Sequence, residues 1–256
     1  MTRSYAKINW ALRITGKRAD GFHELETVFQ TISLHDELTF TPSDRLSLTC
    51  DDPSIPIDET NLVMRAARAV NSPPVAIHLR KRIPAGAGLG GGSSNAATTL
   101  RELGSGDLSD VDLARSALSL GSDVPFFLLG GTAYATGRGE VLTPMAPLSG
   151  IPLLLLLPAE RVLTKEAFAR ITRYSPALGI DAYRDFANFT NDFEEPVFAL
   201  LPRLRELKER LLLAGATWAG MSGSGSTIVG AFADSASRDI AAKAFGDLRT
   251  ERCETL

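Results

Sequence analysis

Apolar and polar residues alternate near the start of the chain: Ile8, Trp10, Leu12 and Ile14 are apolar, with Asn9 and Arg13 between them. A period of two predicts a half-buried strand. Arg18-Ala19-Asp20-Gly21 follows and reads as a turn on its Asp-Gly pair. Residues 28–34 form a second strand-like run and residues 39–49 a third, in which Leu46 and Leu48 alternate. Leu62, Ala66, Ala69 and Val70 share one face of a helix expected over 61–70. Val75, Ile77 and Leu79 alternate again. A glycine cluster then leads into a helical run over 93–103. The stretch 104–110 reads as a turn. A helix is expected over 112–120, capped by Asp110 or Asp112 and ended by Gly121. Residues 124–129 are wholly apolar and read as a short strand.

Residues 153–157 are also wholly apolar, between Pro152 and Pro158, which fits a strand buried on both faces. Helices are expected over 165–173 and 203–213, and strands over 216–221 and 227–232 joined by a glycine-serine turn. A last helix over 235–248 is capped by Asp234 or Ser235. The fold class expected is α+β in two halves: a β-rich α/β half over 1–148, and a half over 149–256 whose β-α-α-β-β-α order suggests a split βαβ, ferredoxin-like arrangement.

Composition narrows the function classes. The 256 residues are 44% hydrophobic and 22% charged, the balance of a soluble globular protein. A formal net charge of −3 argues against general affinity for nucleic acid or anionic membrane. The longest apolar run, 151–159, contains two prolines and falls far short of the ~20 residues of a membrane span. No charged-then-apolar leader precedes Tyr5, so no signal peptide is expected and the cytoplasm is the expected location. Cys50 and Cys253 are the only cysteines, which excludes a disulfide framework and a cysteine metal cluster.

Candidate chemistry concentrates in five places. The first is Pro84, Ala85, Gly86, Ala87, Gly88, Leu89, Gly90, Gly91, Gly92, Ser93 and Ser94. Backbone this rich in glycine passes close to a ligand and turns its N–H groups inward as an anion cradle. The helix that follows points its positive end at the same place. No Gly-Lys-Ser/Thr closes the loop, so it is not a P-loop. Gly86, Gly88 and Gly91 match G-x-G-x-x-G, but a dinucleotide fold needs a second strand after the helix. The protein-kinase pattern fails as well.

The second place is Gly121-Ser122-Asp123-Val124-Pro125, where a carboxylate sits at an element junction stiffened by proline. Such a carboxylate suits a base that accepts a hydroxyl proton. The third, Ser222-Gly223-Ser224-Gly225-Ser226, is either a plain hairpin turn or a second amide-rich anion site. The fourth is Lys7 with Asn9, which share one face of the first strand. Lys7 is either a solvated edge residue or a cation beside a transferred phosphoryl group. The fifth is Phe22 with His23, either a hairpin anchor or a site for a stacked base. Arg80-Lys81-Arg82 reads as a solvated strand end, and His35 and His78 as structural.

Taken together and in this order, these motifs resemble the GHMP kinase superfamily. The opening through Arg18-Ala19-Asp20-Gly21-Phe22-His23-Glu24-Leu25, the Gly-Leu-Gly-Gly-Gly-Ser-Ser loop and Ser222-Gly223-Ser224-Gly225 carry the likeness. Gly121-Ser122-Asp123-Val124-Pro125 and Gly137-Arg138-Gly139-Glu140 agree with it. The resemblance implies a left-handed β-α-β-oriented phosphate loop in an N-terminal half and a ferredoxin-like C-terminal half. It implies ATP-dependent phosphorylation of the 2-hydroxyl of a cytidine-diphosphate-linked methylerythritol in the non-mevalonate isoprenoid pathway. Asp123 would be the base and Lys7 its partner, helping to hold it ionised and to orient the acceptor. Residues 84–94 would bind ATP. Asn9 would face the acceptor, Phe22 and His23 would hold the cytosine, and Phe189 would be a second stacking aromatic. Gly223 and Ser224 would also bind substrate. Magnesium would accompany ATP on phosphates, water and Ser94, with no dedicated carboxylate pair for it. The protein would be a monomer or a weak homodimer. Phe22 stands where the family usually has tyrosine, and Arg138 where a branched apolar residue is usual. Other superfamily kinases, a catalytically silent ligand-binding relative and a dinucleotide-binding oxidoreductase remain as alternatives.

Overall fold

Two long strands open the chain, β1 (Thr2–Lys17) and β2 (His23–Pro42). The turn between them is held as its Asp-Gly pair predicts: the Asp20 carboxylate accepts from the Phe22 amide at 3.1 Å, and Gly21 has φ +87. The computed structural model describes residues 1–104 and 110–256, with only the backbone of Asp110 and Val111. Internal contacts divide these into two compact units. One comprises residues 1–6, 35–85 and 90–130; the other comprises 7–34, 86–89 and 131–256.

In the first unit the end of β2 pairs antiparallel with β4 (Val75–Arg80), and β3 (Ser47–Cys50) pairs parallel with β4. The alternation of Val75, Ile77 and Leu79 is seen as written, all three buried and the residues between them more open. The run expected over 39–49 is split. Its start continues β2 to Pro42, which lacks the N–H needed to go further, and β3 begins only at Ser47. Helix α1 (Leu62–Ala69) is capped by Asn61, whose side chain accepts from the Val63 amide at 2.9 Å. Val63, Met64 and Ala67 of α1 join Leu38, Leu48, Val75, Ile77 and Leu79 in this unit's core. Helix α2 (Gly91–Leu103) is buried along most of its length, and α3 (Asp110–Leu120) and α4 (Val124–Leu129) follow. The turn expected over 104–110 and the cap expected from Asp110 fall outside the described residues. Asp112 lies inside α3, paired with Arg115.

Residues 124–129 are a helix, not the strand their apolar run suggested. A run of six apolar residues carries no period to separate the two. Pro125 decides locally, since its missing N–H and fixed φ suit the first turn of a helix.

In the second unit the start of β2 pairs with β5 (Thr132–Thr136), and β5 with β6 (Val141–Pro144), both antiparallel. A separate sheet has the order β10-β7-β9-β8, antiparallel throughout: β7 (Pro152–Leu157), β8 (Trp218–Met221), β9 (Ile228–Ala231) and β10 (Arg249–Glu254). This fourth-first-third-second order is that of a ferredoxin-like half. Every residue of β7 is buried, as its proline-bounded run predicts. Helices α5 (Thr164–Ala169), α6 (Glu194–Leu200), α7 (Pro202–Leu213) and α8 (Ser235–Ala242) complete the unit. Leu204, Leu207 and Leu211 of α7 pack into a core with Leu154, Leu156, Met221, Ile228 and Phe232. Each such side chain contributes about 1.5–3 kcal/mol on burial. The Asp234 side chain caps α8 by accepting from the Ser237 amide at 2.7 Å. Among the described residues no helix is long and apolar enough to cross a membrane.

Candidate active site

The glycine loop is shaped by its neighbours. Gly86, Gly88 and Gly90 all have positive φ, +65, +79 and +69. Gly88 is the position where this matters most. A Cβ there would lie 2.1 Å from the Ser222 carbonyl oxygen and 3.2 Å from that of Gly225. No side chain fits, so the loop backbone and the late glycine-serine turn touch directly. Hydrogen bonds fix that contact. Ser222 Oγ donates to the Gly88 carbonyl at 2.9 Å, and Thr227 Oγ1 donates to the Ala87 carbonyl at 2.6 Å. The Lys7 amide donates to the Leu89 carbonyl at 3.0 Å. Residues 86–89, the 222–227 turn and β1 from Lys7 onward therefore form one hydrogen-bonded assembly within the second unit.

Lys7 and Asn9 sit in that assembly, 4% and 2% exposed. The strand is buried on both faces here, not half-buried, so Lys7 is not a solvated edge residue. Lys7 Nζ donates to Asn9 Oδ1 at 2.6 Å and lies 5.2 Å from the centre of the Phe29 ring. The Asn9 amide nitrogen donates to Thr27 Oγ1 at 2.8 Å, and the Asn9 backbone N–H to Ser222 Oγ at 3.3 Å. Asn9 thus spends its side chain on orienting Lys7. Gly223, with φ +57, lies against the Gly88 backbone and Asn9 Oδ1. Asn191 donates to the Met221 and Gly223 carbonyls at 2.7 and 2.8 Å and holds this turn from behind.

Other expected residues lie elsewhere in the fold. Phe22 is on the β1–β2 turn, 51% exposed, with the Arg138 guanidinium 4.5 Å from its ring centre. Arg138 therefore lies over the Phe22 ring. His23 stacks on Phe168 at 4.6 Å and 15° between planes. Burial, aided by Lys17, holds its imidazole below the ordinary value, so it is neutral at pH 7. Phe189 is 5% exposed, stacked on Trp10 at 5.6 Å and packed against Tyr183 and Phe186. A stacking role for Phe189 would require this cluster to open; Phe186, 46% exposed, is the ring that solvent reaches. Ser224 Oγ bonds with Thr164 Oγ1 at 3.0 Å.

In the first unit, Asp123 precedes α4 at its N-cap position and is half-buried. Its side chain does not cap that helix. Ser93 is half-buried, and Ser94 is buried. The Ser94 hydroxyl donates to the Tyr5 carbonyl at 2.6 Å and bonds with Ser4 Oγ at 2.7 Å. Among the described residues no group of three or more His, Cys, Asp or Glu side chains could hold a metal ion.

Two buried carboxylates escaped the sequence. Asp36, 0% exposed, pairs with Lys81 and accepts from the Arg82 and Ile83 amides at 2.7 and 2.8 Å and from Asn95 Nδ2 at 3.0 Å. It fixes the chain entering the loop and the second turn of α2 at once. Lys81, read as part of a solvated strand end, is a buried ion-pair partner. Glu26, 2% exposed, accepts from Tyr183 Oη at 2.6 Å, Tyr134 Oη at 3.0 Å and the amides of Leu178 and Gly179. Burial raises its carboxyl, but these four donors outweigh burial and hold it below the usual carboxylate range. Burial, with the hydrogen bond to the Glu26 carboxylate and its charge, pushes the Tyr134 phenol up to about 12. A carboxylate inside an apolar strand run was the signal available for both.

The chain matches the GHMP kinases N terminal domain over residues 61–131 and the GHMP kinases C terminal domain over 176–248. A Chlorobium phaeobacteroides (strain BS1) protein named 4-diphosphocytidyl-2-C-methyl-D-erythritol kinase is 42% identical over 95% of this chain and 92% of its own length. A Protochlamydia amoebophila protein of the same name is 42% identical over 88% of this chain and 81% of its own. A crystal structure of 4-(cytidine 5'-diphospho)-2C-methyl-D-erythritol kinase superposes with a TM-score of 0.87 at 36% identity, covering 99% of this chain and 98% of that one. Methanococcus jannaschii mevalonate kinase, at 14% identity and a TM-score of 0.71, shares the fold. The chain is a kinase of the GHMP family, whose members are ATP-dependent phosphotransferases, and it belongs within that family to the 4-diphosphocytidyl-2-C-methyl-D-erythritol kinases.

Proposed function

We propose that the protein transfers the γ-phosphoryl group of ATP to the 2-hydroxyl of 4-diphosphocytidyl-2-C-methyl-D-erythritol, a step of non-mevalonate isoprenoid biosynthesis. The observation that carries this is the 42% identity, over nearly the whole chain, to relatives bearing that name. The close contact of Gly88 with Ser222 supports the ATP half of the reading. It leaves a bare backbone loop whose amides suit a phosphate chain.

Phosphoryl transfer demands positioning and charge stabilisation more than covalent chemistry. Asp123 is proposed to accept the proton of the acceptor hydroxyl. Lys7, its ammonium oriented by Asn9, is proposed to steady the acceptor and the charge that develops on transfer. Residues 84–94 are proposed to bind the phosphates, and Phe22 with neutral His23 the cytosine. Magnesium, when bound, neutralises phosphate charge. No group of three or more His, Cys, Asp or Glu side chains among the described residues suits it, so its ligands are proposed to be phosphate oxygens, water and Ser94. The proposed location is the cytoplasm, and the proposed form a monomer or weak homodimer.

A coupled ADP-release assay tests this reading with ATP, magnesium and four acceptors: 4-diphosphocytidyl-2-C-methyl-D-erythritol, homoserine, mevalonate and galactose. Release with the cytidylyl acceptor alone is the expected result. Release with a different acceptor, or with none, overturns the assignment.

A further inference from the structure

The segment between β7 and α5 belongs to none of the motifs above, yet it borders the glycine loop. It is tied down on both sides of Arg161. Ser226 Oγ, 2% exposed, donates to the Glu160 carbonyl at 2.6 Å. Ser224 Oγ, 8% exposed, bonds with Thr164 Oγ1 at 3.0 Å. Both serines come from the turn that grips Gly88. The result is a chain of contacts within one unit: the glycine loop on the turn, and the turn on residues 160–164. Arg161 stands between the two ties and reaches back to the loop. Its Nη1 lies 4.0 Å from the position a Cβ would take on Gly86. Both residues are exposed, so the guanidinium stands beside the solvent-facing side of the loop, where a side chain on Gly86 would reach.

A guanidinium presents a planar fork of donors that matches two phosphate oxygens at once, and it keeps its charge at every physiological pH. Held on both flanks of the chain, it loses less entropy on binding than a cation on a mobile loop. We propose that Arg161 is a phosphate-contacting residue, its guanidinium binding the phosphate chain of the nucleoside triphosphate at the open side of residues 86–89. The proposal rests on the ATP-kinase reading but not on the identity of the acceptor.

The test is equilibrium binding of ATP and of adenosine to wild type, Arg161→Ala and Arg161→Lys. Loss of one charge-assisted contact corresponds to about a tenfold weaker ATP affinity. Arg161→Ala is expected to lose about that factor for ATP while binding adenosine like wild type. Arg161→Lys is expected to fall between, because it keeps the charge and loses the fork. Unchanged ATP affinity in Arg161→Ala overturns the proposal. So does an equal weakening of adenosine, which marks a structural effect. Turnover of the cytidylyl acceptor is followed in parallel. A wild type inactive on that acceptor, whose ATP affinity still depends on Arg161, removes the acceptor assignment and keeps this inference. Normal turnover with unaltered ATP affinity in the variant does the reverse.

Discussion

The Ser222 hydroxyl donates to the Gly88 carbonyl at 2.9 Å across 134 positions of chain. The same oxygen accepts from the Asn9 amide at 3.3 Å. One serine thus joins three motifs that lie far apart in sequence: the first strand, the glycine loop and the late glycine-serine turn. Its buried carbonyl in turn forbids any side chain at Gly88.

Gly88→Ala is expected to abolish ATP binding and to lower the melting temperature sharply. A Cβ 2.1 Å from the Ser222 oxygen must push two backbones apart. Gly86→Ala is the contrast: its Cβ meets only the end of Arg161, at 4.0 Å, so the cost is the ~1–2 kcal/mol of a left-handed alanine. Thermal melts of the two variants check this, and equal losses would refute the contact argument.

Asp123→Asn is expected to cut turnover by about 10²–10⁴-fold with little change in ATP affinity, the loss typical of a missing general base. The half-buried site tolerates an isosteric amide. Steady-state kinetics beside nucleotide binding decide the matter, and wild-type turnover would remove Asp123 from the chemistry.

Lys7→Met retains most of the buried stem and deletes the charge, which leaves Asn9 Oδ1 without that donor. Turnover is expected to fall by at least about 10²-fold, by analogy with loss of an electrostatic donor. Asn9→Ala should lower turnover less while leaving the ATP KM near wild type. A Lys7→Met variant with full activity would make Lys7 a packing residue.

Phe22→Ala is expected to raise the KM for the cytidylyl acceptor about tenfold, as loss of one base-stacking contact does. The KM for ATP should not follow. The ring is half-exposed, with the Arg138 guanidinium over it, so folding should survive. Parallel KM measurements check this, and an unchanged acceptor KM would take Phe22 out of the site.

Glu26 gives the fold a pH dependence of known sign. Its carboxyl lies below its ordinary value of 4.5, so it stabilises the folded state above that value and ceases to as pH falls through the lowered one. Glu26→Gln is expected to cost about 1–3 kcal/mol at pH 7 and to flatten the loss of stability on acidification below about pH 5. Urea melts from pH 7 to pH 3 measure it. A variant with the wild-type slope would show that the Tyr183 and Tyr134 contacts do not favour the ionised form.

Local pattern made part of this fold legible. The alternation of β4, the apolar run of β7, the Asn61-led helix and the Asp20-Gly21 turn each declare themselves within a few residues. The glycine loop was equally plain, because its backbone shape demands particular residues, whereas the late glycine-serine turn left a plain hairpin and an anion site open. What stayed hidden depended on partners distant in sequence. Lys81 looked like a solvated cation because Asp36 is 45 positions away. Glu26 gave no hint of its role because Tyr183 is 157 positions away. Residues 124–129 misled because six apolar residues fit a helix and a strand alike. Phe189 looked available for stacking only while Trp10, Phe186 and Tyr183 were unplaced around it.

The grip of Ser222 on Gly88 also orders events during synthesis. The glycine loop leaves the ribosome well before the turn that shapes it, and domains generally fold as units once their partners are available. A nascent chain that ends before Ser222 carries every loop glycine yet lacks the contact that sets their conformation. On the role proposed for the loop, nucleotide binding is expected to arrive late, near the completion of the β8–β9 hairpin, and an incomplete chain to gain no stabilisation from cellular ATP.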